Sequence, residues 1–146
     1  MADYSEEIYK RIPHRPPFLW VDRIIEFTEN SILTEKHIPE DLDVFAGHYP
    51  DHPLMPGVLL CEAIFQSGAL LISKLNESSS PDDKKIPVLT RIINAKFRKE
   101  VKPGDLAAIS VKFKEQVGPA MFMKGSLKVD GKTAVQVEFA CALVEG

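Results

Sequence analysis

The feature that most constrains this chain is an apolar segment in its middle, Val58 to Leu75, which contains no proline. It reads VLLCEAIFQSGALLISKL, and its apolar residues would fall on nearly every face of a helix. Such a helix has to be buried on all sides. One flat sheet face covers too little of it. We therefore expect a sheet that wraps around this helix, or burial of the helix against a second subunit.

The C-terminal part alternates apolar and polar residues, as in Ile109-Ser110-Val111, which is typical of half-buried antiparallel strands. The alternation recurs in residues 121–129 and 135–143. Between them, Asp130-Gly131 predicts a type I′ hairpin turn, because both central residues of that turn need positive φ. The other predicted reversals are Lys102-Pro103-Gly104-Asp105, as a type II turn, and Gly118-Pro119.

The N-terminal part is predicted to be mixed. Tyr4 to Ile12 suits one or two helical turns, and Leu19 to Phe27 and Ile32 to Ile38 suit two strands joined by a turn. Asp41 to Gly57 is rich in proline and is predicted to be irregular, and Asn76 to Lys85 is predicted to be a polar surface loop. Together the elements predict an α+β fold, in which a curled antiparallel sheet wraps a long central helix.

Composition narrows the class of protein. With 146 residues, 45% hydrophobic and 27% charged, the sequence predicts one domain, residues 1–146. A net charge of −3 leaves no basic excess for phosphates, so we expect no nucleic-acid partner. Met1 to Lys10 is too polar for a signal peptide, and we expect no membrane span, because no apolar run approaches the roughly 20 residues that one needs. Cys61 and Cys141 have apolar neighbours and are predicted to be reduced core thiols, as in a cytoplasmic protein.

Glu62 interrupts the apolar segment. An ionised carboxylate away from water is unfavourable, so such a group pairs with a partner or takes up a proton. Gln66, four residues on, lies on the same helix face and is able to hold Glu62 by a hydrogen bond. Glu62 is therefore a candidate catalytic acid. The structural alternative is a carboxylate near the helix start, stabilised by the helix dipole or by a salt bridge.

His48 is the candidate catalytic base, because histidine is the usual proton-transfer side chain near neutral pH. The alternative is a purely structural histidine. His48 and His52 also form an H-x-x-x-H pattern, which on a helix would place two metal ligands on one face. Pro50 and Pro53 exclude a helix there, so we expect no metal site.

Gly57 follows Pro56 at the expected start of the long helix. A helix N-terminus offers free N–H groups, and glycine allows close approach of a ligand to the backbone. A carbonyl bound there would be polarised as in an oxyanion hole. The alternative is a simple turn glycine.

Taken together, these residues resemble a known family. GHYPDHPLMPGVLLCEAIFQSG, Gly47 to Gly68, resembles the active-site stretch of bacterial 3-hydroxyacyl-acyl-carrier-protein dehydratases of the FabZ type. IPHRPPFLWVDRI, Ile12 to Ile24, and AKFRKEVKPGD, Ala95 to Asp105, resemble flanking segments of that family, and the VDGK hairpin also fits. The likeness covers nearly the whole chain, and the spacing of histidine, Pro-Gly and glutamate is specific.

The resemblance implies a hot-dog fold and a homodimer, often assembled as a trimer of dimers. It implies dehydration of 3-hydroxyacyl thioesters, on acyl carrier protein or coenzyme A, to trans-2-enoyl thioesters without a cofactor. In the family the active site crosses the dimer interface, with a histidine matched by His48 and a glutamate matched by Glu62 from different chains. The backbone N–H matched by Gly57 holds the thioester carbonyl. Further expected substrate contacts are Tyr49, Met55, Gln66 and Val88.

The FabA-type dehydratase-isomerases carry aspartate where Glu62 stands, so glutamate favours simple dehydration. The family commonly has a small residue near Arg91 and an aromatic near Val88, so acyl-chain length and pathway are not determined by the sequence. A hot-dog thioesterase and a non-catalytic acyl-thioester binding protein are the alternative functions. The predicted docking patch for an acidic carrier consists of Lys96, Arg98, Lys99 and Lys102.

Overall fold

A computed structural model describes residues 6–77 and 85–145, which form a single antiparallel sheet and three helices. The strand order in the sheet is β1-β2-β4-β5-β6-β3. In chain order, the elements are α1 (Glu6–Arg11), β1 (Arg23–Phe27), β2 (Ser31–His37), α2 (Val44–Gly47), α3 (Gly57–Leu75), β3 (Lys85–Phe97), β4 (Leu106–Val117), β5 (Ala120–Val129) and β6 (Lys132–Glu145).

Helix α3 lies at the centre of the fold. It contacts β2, β3, β4, β5 and β6 as well as α1. Between Leu60 and Ile72, every residue of α3 except Glu62 is buried. The sheet of the same chain therefore supplies the cover that the apolar sequence demands. By length and hydropathy, α3 is able to span a membrane, contrary to our prediction that no segment is. However, 67% of its apolar stretch is buried within the protein, as in a core helix.

Two glycines let the helix approach the sheet closely. A Cβ atom on Gly125 of β5 would clash with Cγ2 of Ile64, and one on Gly68 of α3 would lie 2.7 Å from Cζ of Phe139. Ile64 and Phe139 are both fully buried. The contact surface between α3 and the sheet is thus matched at the level of single methyl groups, as expected of a close-packed core.

The predicted turns are confirmed. Asp130 and Gly131 have φ values of 52° and 76°, as a type I′ turn requires, and Val129 pairs with Lys132. Gly104 has a φ of 91°, as the third residue of a type II turn requires. Gly118, with a φ of 59°, forms the reversal between β4 and β5.

Three details differ from the sequence predictions. The strand predicted from Leu19 is shorter, because β1 begins only at Arg23. The segment predicted to be irregular contains the short helix α2, which buries Phe45. Most of the predicted loop, residues 78–84, lies outside the described residues, as do Tyr4 and Ser5 of the predicted first helix. Cys61 and Cys141 are buried free thiols, as predicted.

Candidate functional site

The side chain of Glu62, on helix α3, lines a cavity of about 300 Å³. This side chain is 23% exposed, whereas its helix neighbours are buried. The exposed fraction faces space between α3, β3 and the segment before β1. The cavity is lined by Pro13, His14, Glu62, Phe65, Gln66, Ala69, Ile86, Pro87, Val88, Leu89 and Cys141.

Gln66 fixes one oxygen of Glu62. The backbone N–H of Trp20 donates to Oε1 of Gln66 at 2.7 Å, which identifies the other terminal atom as the NH₂ group. That group donates to the carbonyl of Phe18 at 2.9 Å and to Oε2 of Glu62 at 3.0 Å. Because Gln66 is only 1% exposed, its amide is a rigid donor and not a solvated one. The contact expected between these two helix residues is present.

His14 is a neighbour of Glu62 that sequence reasoning missed. Its Nε2 lies 3.7 Å from Oε2 of Glu62. Burial lowers the pKa of His14, the nearby Glu62 carboxylate acts in the opposite direction, and Arg15 adds a smaller lowering effect. The two residues are far apart in sequence and share no spacing pattern, so only the fold reveals their contact. The available signal was a histidine between prolines, beside the apolar run that begins at Phe18.

Cys141 lines the same cavity from β6. Burial, with the Glu62 carboxylate as a second cause, raises the pKa of its thiol to about 12. Burial also raises the pKa of the Cys61 thiol. Since the thiolate is the nucleophilic form, neither cysteine is suited to nucleophilic chemistry near neutral pH.

His48 lies in the loop after α2, and its ring is oriented by the backbone. Nδ1 lies 3.0 Å from the carbonyl oxygen of Leu54, which can only accept, so Nδ1 carries a proton and Nε2 is the acceptor nitrogen of the neutral ring. The ring meets that of Tyr49 edge-on, with centroids 4.8 Å apart. Tyr49 is 64% exposed and has a φ of 53°, a left-handed conformation that is unusual for a bulky residue.

The cavity beside His48 measures about 390 Å³ and is a different one. Gly57, the first residue of helix α3, lies in the wall of this cavity. Because it begins the helix, the N–H of Gly57 has no acceptor within the helix. A Cβ atom on Gly57 would lie 2.7 Å from Cε1 of Phe97, so a larger residue there would have to displace this exposed ring. The cavity is lined by His48, Tyr49, Leu54, Met55, Gly57, Leu60, Phe97, Arg98, Lys99, Glu100 and Val101.

The predicted site residues therefore fall into two groups within one chain. The cavity beside His48 is lined by His48, Tyr49, Met55 and Gly57, and the cavity beside Glu62 is lined by Glu62, Gln66 and Val88. Neither of these two cavities contains both His48 and Glu62. Within one chain, the two candidate catalytic residues thus lie in separate cavities.

The predicted docking residues are exposed but are only partly brought together. Arg98 and Lys99 line the His48 cavity. Nε of Arg98 donates to Oε1 of Gln136 on β6 at 3.0 Å, and Lys96 pairs in register with the same Gln136. Lys102 lies apart, in the turn before β4.

The H-x-x-x-H pattern does not form a helix. Residues 48–56 are irregular, and Nε2 of His52 lies 2.8 Å from Oε2 of Glu100, away from His48. Among residues 6–77 and 85–145, no group of three or more His, Cys, Asp or Glu side chains is placed to hold a metal ion.

Comparison with known proteins identifies the family. The model of the FabA-like domain family matches residues 12–138. This chain belongs to that family. It is 38% identical over 138 residues to the 3-hydroxyacyl-[acyl-carrier-protein] dehydratase FabZ of Lactococcus lactis subsp. cremoris, covering 94% of this chain and 92% of the relative. It is 39% identical to the protein of the same name from Aromatoleum aromaticum, covering 94% of each chain.

Solved structures show the fold of this family member. The dehydratase heterocomplex ApeI:P from Xenorhabdus doucetiae matches with a TM-score of 0.78 and 14% identity, covering 94% of this chain and 91% of that chain. A hypothetical thioesterase from Streptococcus pneumoniae, solved with coenzyme A, matches with a TM-score of 0.64 and 13% identity, covering 96% and 93%. The fold is the hot-dog fold, as expected.

Proposed function

We propose that this protein dehydrates 3-hydroxyacyl thioesters carried on acyl carrier protein, as a step of fatty-acid or related lipid biosynthesis. The observation that carries the proposal is the identity of 36–39% to FabZ dehydratases over 94% of the chain. The geometry agrees with it, since a carboxyl group with one oxygen held and a histidine with one bare nitrogen suit acid–base chemistry. In this proposal the 146 residues act as one cytoplasmic domain.

His48 is the general base. With its Nδ1 proton donated to Leu54, Nε2 is free to remove the proton on C2, which the thioester makes acidic. The free N–H of Gly57 stabilises the enolate oxygen that develops. Tyr49 and Met55 line this cavity and would contact the thioester end of the substrate.

Glu62 is the general acid. Gln66 donates to its Oε2, so Oε1 is the oxygen that carries the proton to the leaving C3 hydroxyl. The C2–H and C3–O bonds break, a C2–C3 double bond forms, and the hydroxyl leaves as water. His48 then holds the C2 proton and Glu62 is a carboxylate. One proton leaves His48 and one returns to Glu62 through exchange with solvent before the next cycle. Val88 lines this cavity and would contact the acyl chain.

A homodimer would join the two cavities. β3 is an edge strand of 13 residues with exposed apolar side chains, which proteins normally cover. Its Ile86–Leu89 end borders the Glu62 cavity, and Phe97 at its other end borders the His48 cavity. Antiparallel pairing of β3 with β3 of a second copy brings opposite ends together. His48 of one chain would then face Glu62 of the other. The exposed apolar residues are Val88, Leu89, Ile92 and Phe97.

Two further expectations stay within this proposal. The dimer would be able to assemble further as a trimer of dimers. An acidic carrier protein would approach through Lys96, Arg98, Lys99 and Lys102, of which Arg98 and Lys99 lie at the His48 cavity. Charge steering of this kind weakens with salt.

The decisive test follows conversion of a 3-hydroxyacyl thioester to the enoyl product. We expect His48→Ala and Glu62→Gln each to lower turnover by at least about a hundred-fold. Wild-type turnover by either variant would refute the roles of these residues. Absence of enoyl formation by the wild-type protein, on carrier-bound and coenzyme A substrates of several lengths, would refute the function itself.

Co-expression of the two inactive variants with different affinity tags tests the shared site. A hybrid dimer would contain one intact pair, His48 from one chain and Glu62 from the other. Random pairing makes half of the dimers hybrid, each with one of two sites intact, so about a quarter of wild-type activity should return. A pair within one chain would return none.

The structural likeness to a thioesterase supports a second candidate function. A thioesterase would use Glu62 to activate water and would release free thiol. Measuring thiol release and enoyl formation on the same substrate separates the two activities. Thiol release that depends on Glu62 but not on His48, without enoyl formation, would favour the thioesterase.

A further inference from the structure

His14 and Gln66 approach Glu62 at the same oxygen. The NH₂ group of Gln66 donates to Oε2 at 3.0 Å, and Nε2 of His14 lies 3.7 Å from that atom. In the part of the chain that the structure describes, Oε1 has no hydrogen-bond partner. The carboxyl group is therefore held on one side only.

The backbone around His14 is fixed. Arg15 donates from Nη1 to the carbonyl oxygens of Ile12 and His14, at 2.9 and 2.7 Å, and from Nη2 to that of Tyr9 at 3.0 Å. The Arg15 guanidinium also lies 4.4 Å from the centre of the Tyr9 ring. The Arg15 guanidinium thus hydrogen-bonds to three carbonyl groups of the segment from Tyr9 to His14, which restricts the backbone that carries the imidazole.

The protonation of His14 follows from its surroundings. Nδ1 is buried and, among the described residues, has no hydrogen-bond partner. Burial is the largest influence on the pKa of His14 and lowers it, so the ring is neutral near pH 7. A neutral imidazole carries one proton, and Nε2 is the ring nitrogen that faces an acceptor, Oε2 of Glu62 at 3.7 Å. The tautomer with the proton on Nε2 is therefore favoured.

We infer that His14 is a positioning residue, which together with Gln66 holds Oε2 of Glu62 and thereby turns Oε1 toward the substrate. This inference rests on the proposed function, in which Glu62 is the proton donor. At 3.7 Å the contact is longer than a hydrogen bond, and a small shift of the carboxyl group on substrate binding would close it. His14 does not exchange a proton with the substrate.

This role has a pH signature. An N–H directed at a carboxylate favours its charged form, so loss of the donor favours the protonated form that the proposed reaction uses. The alkaline limb of the kcat profile, where the acid loses its proton, should then move upward. The other ionisable groups facing this pair are Arg15 on the same segment and Cys141 across the cavity. The remaining lining residues of α3 and β3 are uncharged.

The test compares His14→Phe and His14→Leu, which lack the donor, with His14→Gln, which keeps an uncharged N–H. We expect kcat to fall about ten- to a hundred-fold in the first two, with the alkaline limb at least about half a pH unit higher. His14→Gln should stay within about threefold of wild type, with its limb unmoved. His37→Phe is the matched control, because His37 is exposed at the end of β2.

Thermal unfolding of each variant verifies that it is folded, and Leu serves if Phe does not fold. Wild-type kcat and an unmoved limb in a folded donor-free variant would overturn the inference. An equal loss in His14→Gln and His14→Leu without a limb shift would also overturn it, since that result indicates packing alone. Failure of the proposed function is a separate outcome, in which wild-type protein forms no enoyl product.

Discussion

Glu62 lies on a helix that is buried on nearly every side, whereas His48 lies on a loop whose next residue, Tyr49, is exposed and left-handed. Glu62 is held by a side chain, because Gln66 bonds both to Glu62 and to the backbone of the segment before β1. The His48 side is held by the backbone, through the Leu54 carbonyl and the bond from Met55 N–H to the Val101 carbonyl at 2.7 Å.

This difference in bonding predicts a difference in stability between the regions around Glu62 and His48. The proposed acid, Glu62, lies on the helix whose packing stabilises the core, so changes near it should cost folding free energy. The proposed base, His48, lies in a short irregular segment in which residues 49–53 are exposed, so changes there should cost little stability. Regions with few buried contacts are also those that open at low energy. The following experiments challenge this contrast, beginning with the largest expected effect on stability.

Gln66→Leu should be the most damaging. It leaves the N–H of Trp20 and the carbonyl of Phe18 without a side-chain partner, and each buried unpaired group costs about 1–3 kcal/mol. We expect the free energy of unfolding in urea to fall by at least about 2 kcal/mol. Gln116→Leu is the control, because Gln116 is exposed and bonds only to the nearby Gly118 carbonyl. A loss equal to that of the control would show that the hydrogen bonds of Gln66 do not stabilise the fold.

A single added methyl group should destabilise the protein near Ile64 on helix α3 and have almost no effect next to His48. Gly125→Ala places Cβ against Ile64 behind the Glu62 half and should cost about 1–3 kcal/mol of unfolding free energy. Gly47→Ala, next to His48, meets nothing within 4 Å and should change stability by less than about 0.5 kcal/mol. Urea unfolding of both variants measures the contrast. Equal costs would show that the two halves are packed alike.

Tyr49→Gly tests the strained loop. Glycine relieves the left-handed φ at a cost of about 1 kcal/mol in chain entropy, so the net change in stability should be within about 0.5 kcal/mol. Asp51→Gly, at an exposed neighbouring position without positive φ, should lose about 0.4–1 kcal/mol because no strain is relieved. If Tyr49→Gly is the more destabilised of the two, the φ value is not a source of strain.

The smallest expected effect is the pH dependence that His14 contributes. Because burial lowers its pKa below the ordinary value of 6.5, the unfolded chain binds a proton more readily than the folded protein. Stability from this source is present above that value and is lost as pH falls through the folded pKa. Between about pH 7 and about pH 5, His14→Gln should therefore lose less unfolding free energy than wild type. His37→Gln, at an exposed site, should follow wild type, and identical slopes in all three proteins would exclude the effect.

The errors of sequence analysis have specific causes. The segment from Leu19 looks like a strand, but the backbone N–H of Trp20 bonds to the side chain of Gln66 in place of a neighbouring strand. The carbonyl of Phe18, just before the segment, bonds to the same side chain. Helix α2 is four residues long, too short for a periodic pattern. His14 was missed because its contact with Glu62 joins residues distant in the chain.

By itself, the sequence determined the elements whose signals are local. The apolar run defined α3 and made Glu62 stand out, and Asp130-Gly131 defined a hairpin because positive φ is a property of single residues. Only the tertiary structure decided which groups meet. It gave Glu62 its contacts with Gln66 and His14, and it separated His48 and Glu62 into two cavities. Such contacts depend on how distant segments pack, and no local pattern encodes that.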